Sequence, residues 1–296
     1  MENNQENRLF YLSIGGNDED WGIVVTTVGN QYIPPRTHYP PTQHPDKYLF
    51  TPEKGRIINE YQLVYITDGS GWFSSDHIKK KQKVTAGTMI LLFPGEWHSY
   101  APESSTGWRE YWIGFRGEHI DNRIHKGFFS KSEPLHNIGV SRSIVGFYED
   151  IIRIAQEEKA GYQQMISSIV LSIFGTVYYK SKNQQYSNSY IVDKINEARD
   201  IIKNNTESTI SQEDIAKKLG LGYSWYRRMF KEYTGASPAQ YHLQQKLMRS
   251  KELLTTTDKN ISEIAYSLHF ETVCQFSTFF KKKEGITPSE FRKRAH

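Results

Sequence analysis

The chain has 296 residues and only one cysteine, Cys274. No intramolecular disulfide framework and no cysteine-rich zinc site can form, as suits a reducing cytosol. It also lacks a hydrophobic run long enough to cross a bilayer. The longest apolar stretch, Met165 to Tyr179, is interrupted by Ser167, Ser168 and Ser172 and reads as a buried helix. The opening, Met1 to Arg8, is polar and cannot serve as a signal peptide, so no membrane segment and a cytoplasmic location are expected. Charge of one sign is not in large excess, with a formal net of +4, but its distribution is uneven. Residues 190–296 hold 18 Lys and Arg against 13 Asp and Glu, leaving 19 against 20 for the first 189. The basic surplus at the carboxy end is consistent with an acidic partner or with a well-solvated surface.

What the chain does have is two zones of different periodicity. From Tyr11 to about Phe115 it reads as short β-rich runs: Tyr61 to Thr67, a turn at Asp68-Gly69-Ser70-Gly71, Trp72-Phe73, then Thr88 to Phe93 before Pro94-Gly95. Runs of this length between turn signals predict a barrel or sandwich. Val145, Tyr148, Ile152 and Ala155 then mark one amphipathic helix, and Tyr162, Met165, Ile166, Ile169, Ile173 and Phe174 a second. The second is also apolar at Val170, Val177 and Tyr178, which predicts one face on the barrel and another on a second subunit. The polar stretch 181–189 reads as a linker, and everything beyond it as helix.

One pattern occurs twice in the last hundred residues. The first copy has Ile215-Ala216, Leu219-Gly220-Leu221, Phe230-Lys231, Gly235, Ser237-Pro238 and Tyr241. The second has Ile264-Ala265, Leu268-His269-Phe270, Phe280-Lys281, Gly285, Thr287-Pro288 and Phe291. Each copy makes sense as a helix-turn-helix, with Ser211 or Ser262 capping the first helix and Gly220 in a turn that wants positive φ. The following helix buries Tyr226, Met229 and Phe230 and presents Ser224, Arg227, Arg228 and Lys231 outward. In the second copy Cys274, Ser277, Thr278 and Lys281 face outward, with Phe276, Phe279 and Phe280 inward. A single helix from about Pro238 to Leu254 should hold the two units apart.

The segment Ile210 to Arg294 resembles the DNA-binding domain of the AraC family, most specifically through Ile261-Ser262-Glu263-Ile264-Ala265, Phe276, Phe280-Lys281 and Gly285-Ile286-Thr287-Pro288-Ser289-Glu290-Phe291-Arg292. His269, Lys246 and Ser250 stand where the family usually has Gly, Arg and Ala. The resemblance implies that both units bind double-stranded promoter DNA, each second helix entering a major-groove segment. Ser224, Arg227 and Arg228 would then meet bases or phosphates from the first unit, and Val273, Cys274 and Thr278 from the second. Arginine can bridge guanine O6 and N7, so the first unit should carry most of the specificity. Lys281, Lys282 and Lys283 read either as phosphate contacts or as a solvated helix end.

Glu60 to Ile66, Gly69-Ser70-Gly71, Gly87 and Leu91-Leu92-Phe93-Pro94-Gly95-Glu96-Trp97-His98 look like the cupin-type sensor barrel of the same family. Tyr61 to Phe73 contains no histidine, so the His-x-His pair of a cupin metal site is missing and neither metal nor other cofactor is called for. His98 reads as a turn residue or a ligand contact. Along Trp108 to Phe115, Trp108, Glu110 and Trp112 share one strand face. Two aromatic rings flanking a carboxylate suit a sugar or polyol, and equally suit barrel core with Glu110 paired to an arginine. In sugar-sensing members of the family the Trp matching Trp112 lies against the sugar. Arg56 and His38 are further candidates for closing the pocket.

The expected architecture is therefore α+β. It comprises a ligand-sensing and dimerisation domain over 1–180 (cupin-like barrel 11–120, helices 140–180), a linker over 181–189, and an all-α double helix-turn-helix domain over 190–296. The expected function is a sequence-specific transcription activator, not an enzyme, acting as a homodimer with RNA polymerase and responding to a carbohydrate or related metabolite. The rival readings are a cupin isomerase or dioxygenase with a DNA-binding tail, and a constitutive DNA-binding dimer whose barrel takes no effector.

Overall fold

The computed structural model describes residues 7–40, 51–186 and 189–295, which divide into two compact units meeting between Gln185 and Tyr186. The first is built on a nine-stranded, wholly antiparallel sheet system. Its strands are β1 (Arg8–Tyr11), β2 (Val24–Ile33), β3 (Arg56–Ile57), β4 (Tyr61–Ser75), β5 (Gln82–Thr85), β6 (Thr88–Leu92), β7 (Trp97–Pro102), β8 (Trp108–Arg116) and β9 (Leu135–Asn137). The main path runs β1-β2-β8-β4-β6-β9.

Closure depends on β4. Its first half pairs with β8 and β6, its second half with β5 and β7. Asp68 to Gly71 is thus not the turn that its composition predicts. The strand runs through it with a register shift between Ile66 and Asp68, and Gly69 takes φ +80. A side chain at Gly69 would overlap the backbone of Gly107 and Trp108, so glycine lets the strand bend from one sheet into the other.

Inside the bend lies a core of Ile33, Val64, Ile66, Phe73, Ile90, Leu92, Trp108 and Trp112. The opposite strand faces supply Val25, Leu63, Tyr65, Leu91, Tyr111, Ile113 and Phe115 to a second core. That core is covered by α2 (Arg142–Glu157) and α3 (Tyr162–Gln185), while the short α1 (Glu118–His125) contributes Ile120. Tyr148 of α2 donates its hydroxyl to the Leu63 carbonyl at 3.0 Å. On α3, the Gln163 amide brackets the Val25 backbone at 3.1 and 3.0 Å, beside the irregularity in β2. Val170 and Val177 are buried in this same core, so they do not form the second-subunit face that the width of the apolar stripe predicts. Met165 and Tyr179 are the large apolar side chains that α3 leaves exposed. The helix also continues to Gln185, through the first half of the expected linker, and 187–188 lie outside the described residues.

The second unit contains α4 (Ser189–Asn204), α5 (Gln212–Lys218), α6 (Tyr223–Thr234), α7 (Pro238–Thr256), α8 (Ile261–Ser267), α9 (Val273–Glu284) and α10 (Pro288–Ala295). It has two separate cores. One is centred on Ile195, Ile202, Ile215, Tyr226 and Phe230, the other on Leu254, Ile264, Leu268, Phe276 and Phe280. Ser211 caps α5 by accepting the Asp214 amide at 3.0 Å. Its counterpart is Asn260, not Ser262, which lies inside α8. Asn260 and Glu263 form a full capping box, at 2.8 and 2.6 Å. Among the described residues no helix is long and apolar enough to cross a membrane.

Candidate DNA-reading and ligand-binding sites

Each repeat of the second unit is a helix, a tight turn and a longer helix. The turns are closed by Gly220 at φ +70 and His269 at φ +53. A non-glycine residue rarely holds that conformation. At His269 the ring helps, with Nε2 donating to the Glu207 carbonyl at 3.1 Å. Tyr226 and Phe230 anchor α6, and Phe276 and Phe280 anchor α9. This leaves Ser224, Arg227, Arg228 and Lys231 exposed on α6, and Cys274, Thr278, Lys281 and Lys282 exposed on α9. Val273 is half-buried and packs against the second core. The ion pairs of this unit among the described residues use Lys194, Arg249 and Lys251, so no cation of α6 or α9 is held in a close ion pair, although Lys281 acts at longer range on Glu290. Two rod-like surfaces carrying uncommitted cations and hydroxyls suit the acidic, donor- and acceptor-lined grooves of a duplex.

In the barrel, β8 alternates as its sequence predicts. Trp108, Glu110 and Trp112 point inward, while Arg109, Tyr111, Ile113 and Phe115 take the opposite face. Gly29 of β2 lies opposite Trp112 and Gln31 opposite Glu110. Arg56 enters from β3 and donates to Tyr100 Oη at 3.0 Å, His98 Nε2 at 3.3 Å and Gln62 Oε1 at 3.4 Å. His98 is therefore the second residue of β7 and faces the barrel, past the Pro94-Gly95 turn. Its Nδ1 faces the Glu96 carbonyl at 3.2 Å, which with the Arg56 bond fixes a neutral ring. Burial, and then Arg56, push its pKa down to about 3. Burial pushes the Glu110 carboxyl the other way, up to about 8, against the lowering effect of Arg56. Glu110 Oε2 and the Trp108 indole nitrogen are buried and neither makes a hydrogen bond of ordinary geometry among the described residues, while the indole N–H lies near enough to the carboxyl to favour its ionised form, as Arg56 does. Tyr39 stands edge-on to Trp108 at 6.2 Å and tilted to Tyr100 at 6.4 Å.

The structure thus brings Trp108, Glu110, Trp112, Arg56 and His98 to one interior, and leaves His38 exposed on the segment after β2. It adds Gln62, Tyr100, Tyr39 and Gln31. Gln62 is a polar side chain at an inward position of an otherwise apolar alternation, a signal legible in the sequence, and Tyr100 follows His98 on the same face of β7. The result is a cage of indoles and phenols around a carboxyl group, a guanidinium and amides, able to stack on an apolar ring face and to donate to or accept from hydroxyls. Among the described residues no three His, Cys, Asp or Glu side chains cluster as a metal site would require.

Comparison with known proteins agrees with both halves. Residues 35–174 match the family model of the AraC-like ligand binding domain, and residues 215–294 that of a helix-turn-helix domain. The Msm operon regulatory protein of Streptococcus mutans is 27% identical over 86% of this chain and 91% of its own length. The lactose operon transcription activator of Staphylococcus xylosus is 28% identical over 80% and 85%. A solved AraC-type transcriptional regulator from Chromobacterium violaceum is 32% identical over 36% of this chain and 96% of that one, with a TM-score of 0.34. With an AraC-like ligand-binding domain before the duplicated helix-turn-helix, the chain belongs to the AraC family of DNA-binding transcription regulators.

Proposed function

We propose that this regulator is a transcription activator that binds a small carbohydrate inside the barrel and reads its promoter through α6 and α9. The observation that carries the effector assignment is Glu110: a buried carboxyl with one oxygen that makes no hydrogen bond of ordinary geometry among the described residues, between two indoles and facing an arginine. A buried polar group without a partner costs about 1–3 kcal/mol. Sugar hydroxyls supply the partners, and the aromatic rings take the apolar ring face. The naming of the Staphylococcus xylosus relative for a lactose operon supports the same ligand class. Promoter activation in the cytoplasm, with RNA polymerase as partner, completes this reading. A homodimer formed along the exposed side of α3, at Met165, Ser168, Ser172 and Tyr179, is part of it too.

The test is a thermal-shift screen of the full chain with mono- and disaccharides, followed by promoter binding with and without each hit. Binding to the native state raises the melting temperature by mass action. A hit whose effect disappears in Glu110→Gln supports the reading. No hit, with equal promoter output across the panel, favours a constitutive dimer, and turnover of a hit favours an enzyme.

A further inference from the structure

Between the two cores of the DNA-binding unit lies a groove of about 420 Å³. Its walls carry Ser208 and Thr209 from the segment before α5, His242 and Lys246 from α7, and His269 from the second turn. No carboxylate lines it. Lys246 is half-buried, leans over the Phe270 ring at 5.4 Å and is in no ion pair among the described residues. Burial holds its pKa below the ordinary lysine value. At His242, the Gln212 amide lies 3.3 Å from Nδ1. If the amide donates there, the ring proton is on Nε2, which is buried and has no acceptor among the described residues. Burial, and then Lys246, push that imidazole down to about 4, so it is a neutral donor at physiological pH. Lys246 therefore brings to the groove a positive charge that no carboxylate of its walls balances. A half-buried cation without a counter-ion is costly, and an oxyanion supplies one.

We propose that this groove seats a phosphate group of the DNA backbone, in the stretch between the two segments read by α6 and α9. The inference rests on those helices being the reading elements. The position of the groove favours DNA over a free anion: His269 stands four residues before the start of α9, and the opposite wall leads into α5, which packs against α6. The two units thus share one contact on the backbone that joins their targets, and Lys246 makes it.

The test replaces the phosphates of an operator duplex one at a time by neutral methylphosphonate and measures binding of the full-length wild type, Lys246→Gln and Lys246→Arg at several salt concentrations. Arginine keeps most of the aliphatic stem and glutamine its first two methylenes, and melting temperatures check folding. One spacer position should weaken the wild type about fivefold. Lys246→Gln should show that loss on the unmodified duplex, be indifferent to the substitution, and have a salt slope lower by about one. Lys246→Arg should follow the wild type. A wild type indifferent to every spacer phosphate, or a Lys246→Gln that still loses affinity there, overturns the proposal. So does stabilisation of the DNA-free protein by inorganic phosphate through Lys246 with a silent spacer scan. Absence of any preference for matched over scrambled duplex would instead overturn the base-reading role of α6 and α9, while the scan on either duplex still reports the phosphate.

Discussion

Gly29 of β2 lies directly opposite Trp112 of β8, so close that a methyl group at Gly29 would overlap the indole Cζ2 and the Arg8 carbonyl oxygen. The indole therefore occupies space that only glycine leaves open. Gly29→Ala should lower stability by about 1–3 kcal/mol through overpacking and displace the ring from the cavity. Chemical denaturation and effector-dependent promoter binding check the two effects. Unchanged stability would mean that the strands separate at little cost.

Trp112→Ala should abolish the response to effector and leave DNA binding without effector intact, since α6 and α9 belong to a separately packed unit. Equal loss of both in a promoter-binding titration would show that Trp112 serves only as core.

The barrel should show a pH signature of its own. Glu110 titrates near 8 in the folded state against 4.5 in the unfolded chain, so folding takes up a proton between those values and stability falls as pH rises. His98 acts in the opposite sense, since its folded value near 3 lies below 6.5 and its contribution rises with pH up to 6.5. Between 6.5 and 8 the carboxyl acts without that opposition, with a slope of at most about 1.4 kcal/mol per pH unit. Glu110→Gln should flatten melting temperature against pH in that window. A wild type already flat there would place Glu110 ionised within the fold.

Division of labour between the repeats gives a separate test. Arg227→Ala or Arg228→Ala, whichever reads a guanine, should cost about 1–3 kcal/mol on the specific site and relax preference at one base pair. Lys282→Ala should weaken matched and scrambled duplexes alike and lower the salt slope by about one. If both arginine variants lose affinity equally on all sequences, α6 only positions the protein.

Local patterns made much of this legible. Alternation placed Trp108, Glu110 and Trp112 together, and the duplicated pattern located both helix-turn-helix units. The composition of Asp68 to Gly71 is that of a turn, and its partners across the barrel alone decide that it is a bulge. Val170 and Val177 looked surplus because a helix lying across two layers buries more of its circumference than one packed on a single sheet. Arg56, Gln62 and Tyr100 come from three strands, and only the bend in β4 makes them neighbours. Asn260 lies 49 residues after Ser211, the same offset that relates Ile215 to Ile264, while Ser262 is a second residue of capping type in the same stretch.

α7 runs unbroken for 19 residues from the capping box of Ser237 and Gln240, and both cores are built on it. Each residue of a helix adds about 1.5 Å and about 100° of rotation. A duplex adds about 3.4 Å per base pair and repeats after about 10–10.5. One residue more or less in α7 would swing α9 through more than a quarter turn, and no change of whole base pairs restores both rotation and rise. On the proposed reading, with α6 and α9 both on the duplex, helix length and operator spacing are mutually phased, and a promoter would tolerate single base changes more readily than a change in its spacing.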